Sequence, residues 1–417
     1  MPARDTAAER NVDHLIVGGG MTGSAAAMGV LDVAPDASLA LVGAEPVPPY
    51  ERPPLSKDLW QEEEPDLEQV QHDRELFEGA DLVTGRRIVE LRPDEHLAID
   101  DAGTRWRYGR CLLATGATPI RPPFAPDLPS VPTFRTREDF VSLRERLGRG
   151  RRVTLVGGGF LGSELAGALR SAGAEVTLVF PERDVLGRML PPTLAARVTQ
   201  RLRRAGIEVR PGTLVDGIAP LHEDRPDGPV RVACDDGTEW TADTALIVVG
   251  VSPNTRLAED AGLKVNDGIV VDDRFRTSAP DVLAAGDVVR FPAPGLGPMR
   301  VEHEDHAKTG GLHAGRVMAG ADEPYDHLPM FYSDVLDLGY EAVGRCDPSL
   351  EVVLDGPAAE PDADPSTPGA AIYLDDDRPV GVLTWNAFGH LDEARRWIRA
   401  GEPVGAEGLR GRLDLDG

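Results

Sequence analysis

Three cysteines in 417 residues are too few to build a fold around. Cys111, Cys234 and Cys346 stand 123 and 112 residues apart, which excludes both a disulfide framework and a C-x-x-C dithiol. Long apolar runs are missing as well. No window approaches the roughly 18 residues a membrane helix needs, and Met1 to Asn11 lacks the hydrophobic stretch of a signal peptide. Positive charge is scarce: Lys plus Arg total 44 against 70 Asp plus Glu, a formal charge of −26. That field repels phosphate backbones, so nucleic acid is not an expected partner. No solenoid-type repeat is present. With 41% hydrophobic and 27% charged residues, the expectation is a cytoplasmic globular protein of two to four domains with no membrane span. The cysteines read as ordinary thiols.

What the chain does have is glycine, 46 residues of it, eight of them in two short turns. Val12 to Val17 reads as a strand leading into Gly18-Gly19-Gly20-Met21-Thr22-Gly23, followed by a small-residue helix from Ser24 to Val33 and a second strand, Leu39 to Val42. The pattern returns about 140 residues later. Val153 to Val156 enters Gly157-Gly158-Gly159-Phe160-Leu161-Gly162, then a helix from Ser163 to Ser171 and a strand from Val176 to Phe180. Each is a βαβ unit carrying G-x-G-x-x-G. In such a turn Gly18 and Gly157 permit the bend, Gly20 and Gly159 let a pyrophosphate approach the backbone, and Gly23 and Gly162 let helix meet strand. Free amides and the dipole at each helix start then hold the anion.

A carboxylate about twenty residues past the last glycine accepts hydrogen bonds from a ribose. Glu182 follows Gly162 by 20, at a strand end, and repels a 2′-phosphate, so NADH is expected over NADPH; Arg183 weakens that preference without reversing it. In the first unit Glu45 lies 22 residues past Gly23. Three further apolar runs deliver backbone to a ligand edge: Cys111 to Thr115-Gly116, Ala245 to Gly250, and Val282 to Asp287. Pro119 to Pro132 reads as a linker and Asp355 to Pro368 as a mobile loop. Ala370 to Leu374, Val380 to Trp385 and Leu391 to Ala400 read as a small α+β domain. His303-Glu304-Asp305-His306 is one residue short of H-E-x-x-H, and no metal is expected.

Pro49-Tyr50-Glu51-Arg52-Pro53-Pro54-Leu55-Ser56-Lys57 is a more specific signal than either glycine turn. Together with Ala114-Thr115-Gly116, Gly157 to Glu164, Ala285-Gly286-Asp287 and Val301 to His306, it resembles the flavoprotein family of ferredoxin-NAD reductases and apoptosis-inducing factor. Met330-Phe331-Tyr332-Ser333-Asp334, Gly339 to Gly344 and Thr384-Trp385-Asn386 resemble the apoptosis-inducing-factor branch in particular. Tyr332 stands where that branch usually carries tryptophan.

The resemblance implies an α/β fold with two Rossmann-like dinucleotide-binding domains, the NAD domain inserted in the FAD domain. The expected divisions are FAD-binding residues 1–122 and 250–329, an NAD-binding insert 123–249, and a C-terminal α+β domain 330–417. It also implies FAD in the first cradle and NADH in the second. Asp287 would accept from the ribityl chain, and Arg52 and Arg135 would meet FAD phosphates or ribityl oxygens. The helix start at Glu302 and His303 would lie under the flavin's pyrimidine edge. Lys57 and Glu164 would meet beside the flavin, the glutamate keeping the lysine oriented and charged. Phe160 would cover the flavin until nicotinamide displaces it, with Tyr332 part of the aromatic surroundings.

The implied activity is an FAD-dependent oxidoreductase that takes hydride from NADH. Lacking a dithiol, it passes electrons directly to an acceptor such as a ferredoxin-type carrier. Ferredoxins are commonly acidic, so a local basic dock would be required. The alternative is a redox-responsive binding protein, like apoptosis-inducing factor, whose NADH-reduced charge-transfer complex changes association state, with a homodimer as the assembly.

Overall fold

A computed structural model describes residues 8–72, 78–147, 149–360, 362–405, 408–413 and 415. The chain forms two compact units, each assembled from separated stretches. The first comprises Met1–Glu51, Leu67–Thr118 and Pro253–Pro329; the second comprises Arg52–Asp66, Pro119–Ser252 and Met330–Gly417.

In the first unit the strand Glu9–Val17 pairs in parallel with Leu39–Val42 on one side and Arg105–Leu113 on the other. Val17 aligns with both Val42 and Leu113, so three strand ends meet where the glycine turn leaves the sheet. Ala80–Val83 extends the parallel edge. Arg105–Leu113 forks: its first half pairs antiparallel with Leu97–Asp100, while its last three residues pair in parallel with Val282–Ala284. Leu15, Ile16, Leu41 and Leu112 are fully buried, as continuous apolar strands of a parallel sheet require.

The helix expected from Ser24 spans Met21–Val33 instead, with Gly20 capping it in extended backbone. Glycine is a poor helix former, which places the expected start too late. Gly23 is nevertheless needed inside the first turn, because a Cβ there would collide with the Gly18 carbonyl. The helix Glu304–Met318 lies against Met21–Val33, backbone to backbone. A Cβ on Gly29 would strike the Leu312 carbonyl, and one on Gly315 the Ala26 carbonyl. Part of the glycine surplus therefore serves helix contact rather than phosphate.

The second unit contains a four-stranded parallel sheet in the order Glu208–Pro211, Glu175–Phe180, Arg152–Val156, Thr244–Ile247. Its cradle helix is Phe160–Ser171, again starting three residues before the expected position, with Gly159 as cap. An antiparallel sheet of Val215–Pro220, Val230–Cys234 and Glu239–Ala242 shares a core with Val156, Val179 and Ile247. The Pro119 to Pro132 stretch belongs to this core rather than linking domains. Ala125 and Val131 are buried within it, and the Ser130 and Pro132 carbonyls accept from Ala245 and Ile247 of the sheet edge. Proline removes a donor but keeps its acceptor, so a proline-rich segment can still border a sheet.

The C-terminal part of this unit is a five-stranded antiparallel sheet in the order Met330–Val335, Leu338–Gly344, Arg378–Trp385, Gly369–Asp375, Glu351–Asp355. The helix Leu391–Ala400 packs on it, burying Leu391, Ala394 and Ile398. The stretch read as a mobile loop is tied down. Trp385 Nε1 and Asn386 Nδ2 both donate to the Pro365 carbonyl, and Pro357–Ala359 forms a turn of 3-10 helix. Among the described residues no helix is long and apolar enough to cross a membrane.

Candidate functional site

In the first unit the glycine turn opens at the aligned strand ends. Gly18 has φ +124°, a conformation glycine reaches at little cost. A Cβ on Gly19 would lie 3.0 Å from Gly43 Cα, so the turn passes close to the end of the neighbouring strand. Glu45, just beyond that strand, accepts from the Tyr50 hydroxyl at 2.6 Å. Thr115 and Asn254 clasp each other: Thr115 Oγ1 donates to the Asn254 carbonyl and Asn254 Nδ2 to the Thr115 carbonyl. Gly116 accepts from the Asn254 amide. Asp287 lies in a turn of 3-10 helix, Gly286–Val288, whose Gly286 leaves no room for a Cβ against Thr22 of the cradle helix.

The motif around His303 caps the helix Glu304–Met318. Burial pulls the His303 imidazole down to about 4, against the opposing pull of Asp287 and Asp305, so the ring is neutral at pH 7. Glu302 pairs with Arg300 at 2.5 Å. His306 is fully buried, stacks on Phe291 with centroids 4.3 Å apart, and falls to about 3 through burial and the neighbouring His303. Glu304 pairs with Lys308 and Asp305 with His327. A network the sequence reading missed also runs through this unit. Ser24 Oγ lies 2.5 Å from His72 Nδ1, His72 Nε2 lies 3.0 Å from Glu51, and Lys308 reaches the same carboxylate at 2.9 Å.

In the second unit Lys57 and Glu164 meet as the motifs imply, with Nζ 3.1 Å from Oε1 and side chains only 15% and 11% exposed. Lys57 follows the turn Pro53–Ser56, and Glu164 projects from the first turns of the cradle helix Phe160–Ser171. Lys57 Nζ also reaches Asp334 at 3.2 Å and stands 5.2 Å from the Tyr332 ring centroid. Glu164 accepts from the Ser56 and Ser333 hydroxyls, each at 2.6 Å. Ser56, Ser333 and Asp334 all lie inside the quoted motifs, yet only their neighbours were singled out.

Phe160 is 41% exposed and sits edge-on to Phe331, so it is not a core residue. Tyr332 is exposed on the edge strand Met330–Val335. Arg52 donates to the Arg135 carbonyl at 2.9 Å, bringing those two arginines together. In the second cradle Gly157 has φ +125°, and Gly250, after the neighbouring strand, has φ +109°. A Cβ on Gly162 would strike the Gly157 carbonyl, whereas one on Gly159 would meet nothing within 4 Å. The side of the turn where a pyrophosphate belongs is thus open, and the residues present fit a dinucleotide. Glu182 is paired with Arg188, not with the adjacent Arg183, which is 94% exposed.

Comparison with known proteins agrees with this geometry. Residues 12–311 match the family described as pyridine nucleotide-disulphide oxidoreductase. Residues 314–354 match the C-terminal domain of mitochondrion-associated apoptosis-inducing factor. The chain is 31% identical to apoptosis-inducing factor 1, mitochondrial, of Dictyostelium discoideum, across 92% of this chain and 78% of that protein. It is 32% identical to monodehydroascorbate reductase 3 of Arabidopsis thaliana, across 90% of each. Among solved structures, the covalent putidaredoxin reductase–putidaredoxin complex superposes with a TM-score of 0.86 at 29% identity, covering 96% of this chain and 95% of that one. With both glycine cradles, the Lys57–Glu164 pair and the C-terminal sheet in place, the chain belongs to the pyridine nucleotide-disulphide oxidoreductase family of FAD-dependent NAD(P)H oxidoreductases.

Proposed function

We propose that this protein oxidises NADH and hands the electrons singly to a ferredoxin-type carrier, with Lys57 and Glu164 as its central side chains. The Lys57–Glu164 pair, 15% and 11% exposed, carries the reading, because taking two charges out of water adds little to stability and so points to a role other than holding the fold. Bound FAD would supply the redox chemistry that links a two-electron hydride donor to a one-electron carrier. The backbone amides at Gly20 and Met21 would hold its pyrophosphate, with Glu45 at the ribose and Asp287 at the ribityl hydroxyls. Arg52 and Arg135 would neutralise its phosphates. Amides at the start of the helix capped by His303 favour negative charge beside them, and with the His303 ring kept neutral by burial the imidazole adds no positive charge to theirs. Gly159 and the helix it caps would bind the second pyrophosphate, and Glu182 its adenosine ribose. Phe160, exposed and flanked by the Phe331 and Tyr340 rings, can move aside for a nicotinamide. Lys57 places a positive charge that Glu164, 3.1 Å away, holds in position.

Of the domain reading, an insert at 123–249 between FAD-binding residues 1–122 and 250–329 with a C-terminal domain 330–417, the discontinuous FAD-binding part is supported by Pro253–Pro329 grouping with Met1–Glu51 and Leu67–Thr118, whereas Arg52–Asp66 and Met330–Gly417 group with Pro119–Ser252. Cytoplasmic residence is supported by three free cysteines, which suit a reducing compartment. The ferredoxin-type partner is supported by the neighbouring structure, a reductase bound to its putidaredoxin.

The test is an anaerobic NADH titration followed by stopped-flow mixing with candidate ferredoxins. Bleaching of the yellow protein and rapid recovery on adding the carrier are expected, with Lys57→Met slowing the bleaching by at least about tenfold. Bleaching at an unchanged rate in that variant overturns the assignment of Lys57. The match to the apoptosis-inducing-factor C-terminal domain favours a second reading, a redox-responsive protein that forms a homodimer. An NADH-dependent shift in elution volume would support it, and unchanged elution with fast turnover would remove it.

A further inference from the structure

The Glu164 carboxylate takes more donors than one ion pair needs. Oε2 accepts from Ser56 Oγ at 2.6 Å, and Oε1 from Ser333 Oγ at 2.6 Å and Lys57 Nζ at 3.1 Å. The two serines lie 108 and 169 residues away in the chain and converge from the Pro53–Ser56 turn and the edge strand Met330–Val335. Both are buried, Ser56 to 6% exposure and Ser333 to none. A hydroxyl has one proton to give. Ser56 Oγ also lies 3.2 Å from the Pro53 carbonyl. A short contact to an anion outcompetes a longer one to a neutral carbonyl, so the proton points at Glu164.

Lys57 sits between unequal partners. Glu164 is nearly buried, whereas Asp334 is 52% exposed and free to yield to water. What decides where the ammonium rests is therefore how firmly Glu164 is held. One hydroxyl grips each carboxylate oxygen, which fixes both the position and the plane of the group and leaves Oε1 turned to Lys57. Without them, a nearly buried carboxylate with unfilled acceptors would turn to recover donors, and Lys57 would follow Asp334 outward.

We infer that Ser56 and Ser333 are positioning residues for the reaction, a hydroxyl clamp that fixes Glu164 and through it the ammonium of Lys57. The inference rests on the reading of Lys57 and Glu164 given above. It predicts that the clamp acts only through Glu164.

The test uses the full-length, FAD-loaded protein with Ser56→Ala, Ser333→Ala, the corresponding threonine variants, Glu164→Ala and Lys57→Met. Three quantities are read: the limiting rate of anaerobic bleaching by NADH, the NADH concentration giving half that rate, and the flavin midpoint potential by dye equilibration. Each alanine variant should lower the limiting rate by about tenfold while moving the half-saturating NADH by less than about twofold. Each should also move the potential in the direction that Lys57→Met does, by a smaller amount. Threonine, which keeps the hydroxyl, should restore both rate and potential. In a Glu164→Ala background the serine replacements should change nothing further.

Wild-type rate and potential in both alanine variants, alongside a slow Lys57→Met, would overturn the clamp and leave the Lys57 assignment standing. Losses that persist undiminished in the Glu164→Ala background would overturn it in favour of simple packing. A Lys57→Met variant with unaltered rate and potential would remove the reading beneath it. Should Ser333→Ala fail to fold, Ser56→Ala on the turn carries the same comparison.

Discussion

At the residue scale, the charged pair was readable and its support was not. Lys57 and Glu164 sit in motifs specific enough to name, and they meet at 3.1 Å. The clamp serines were inside the same motifs but carry no pattern of their own, because a single hydroxyl acquires meaning only from what it faces. Glu182 illustrates the same limit. Its spacing from Gly162 marks it as the ribose carboxylate and the sequence sets Arg183 beside it, yet the guanidinium paired with it belongs to Arg188. That pairing leads to a prediction. Glu182→Ala removes the repulsion toward a 2′-phosphate and at the same time releases Arg188 to meet one. The ratio of kcat/KM for NADPH to that for NADH should rise by at least about tenfold, one factor for each 1.4 kcal/mol gained. An additional Arg188→Ala should cancel much of the gain, and steady-state kinetics with both nucleotides checks it.

At the scale of elements, both βαβ units were legible because strand, glycine turn and helix repeat in the same order. Their boundaries slipped by three residues for one reason: the glycines that read as loop are helical in part. The contact between Met21–Val33 and Glu304–Met318 was illegible, since Gly29, Gly311 and Gly315 have no periodic apolar signal and their value lies in the partner backbone. Gly315→Ala should destabilise the protein by about 3 kcal/mol, the cost of forcing a methyl into a tight contact that only backbone movement can relieve. Chemical denaturation measures it, and a change under about 0.5 kcal/mol would contradict the packing described.

The same helix sets an acid limit. His306 stays neutral in the folded protein down to about pH 3, whereas an unfolded chain protonates it near its ordinary value of about 6.5. Between those values the unfolded state binds the extra proton, so stability falls as pH drops, by about 1.4 kcal/mol per unit for this one group. His303, down to about 4, adds to the slope over part of that range. His306→Phe, which keeps a ring against Phe291, should flatten the pH dependence of the melting temperature below about pH 6.5. Equal slopes in variant and wild type would show that His306 is not the source.

At the scale of the whole molecule, the charge of −26 bears on the partner. If the carrier is an acidic ferredoxin, mutual repulsion slows encounter, and it weakens as the screening length falls from about 30 Å at 0.01 M salt to about 8 Å at 0.15 M. The second-order rate of carrier reduction should therefore rise over that range. A rate that falls instead would reveal a basic dock strong enough to override the net field. Stopped-flow measurements across ionic strength distinguish the two.

The way the first unit is assembled has a consequence for biosynthesis. Its opening cradle helix ends at Val33, and the helix that covers it begins about 270 residues later, which at roughly 5 to 20 residues per second is tens of seconds of translation. Throughout that interval the glycine-lined face of Met21–Val33 has no partner on the ribosome. Flavin capture must then follow synthesis of the intervening stretch Pro119–Ser252, and a nascent chain stalled before Glu304 would emerge colourless and in need of a chaperone.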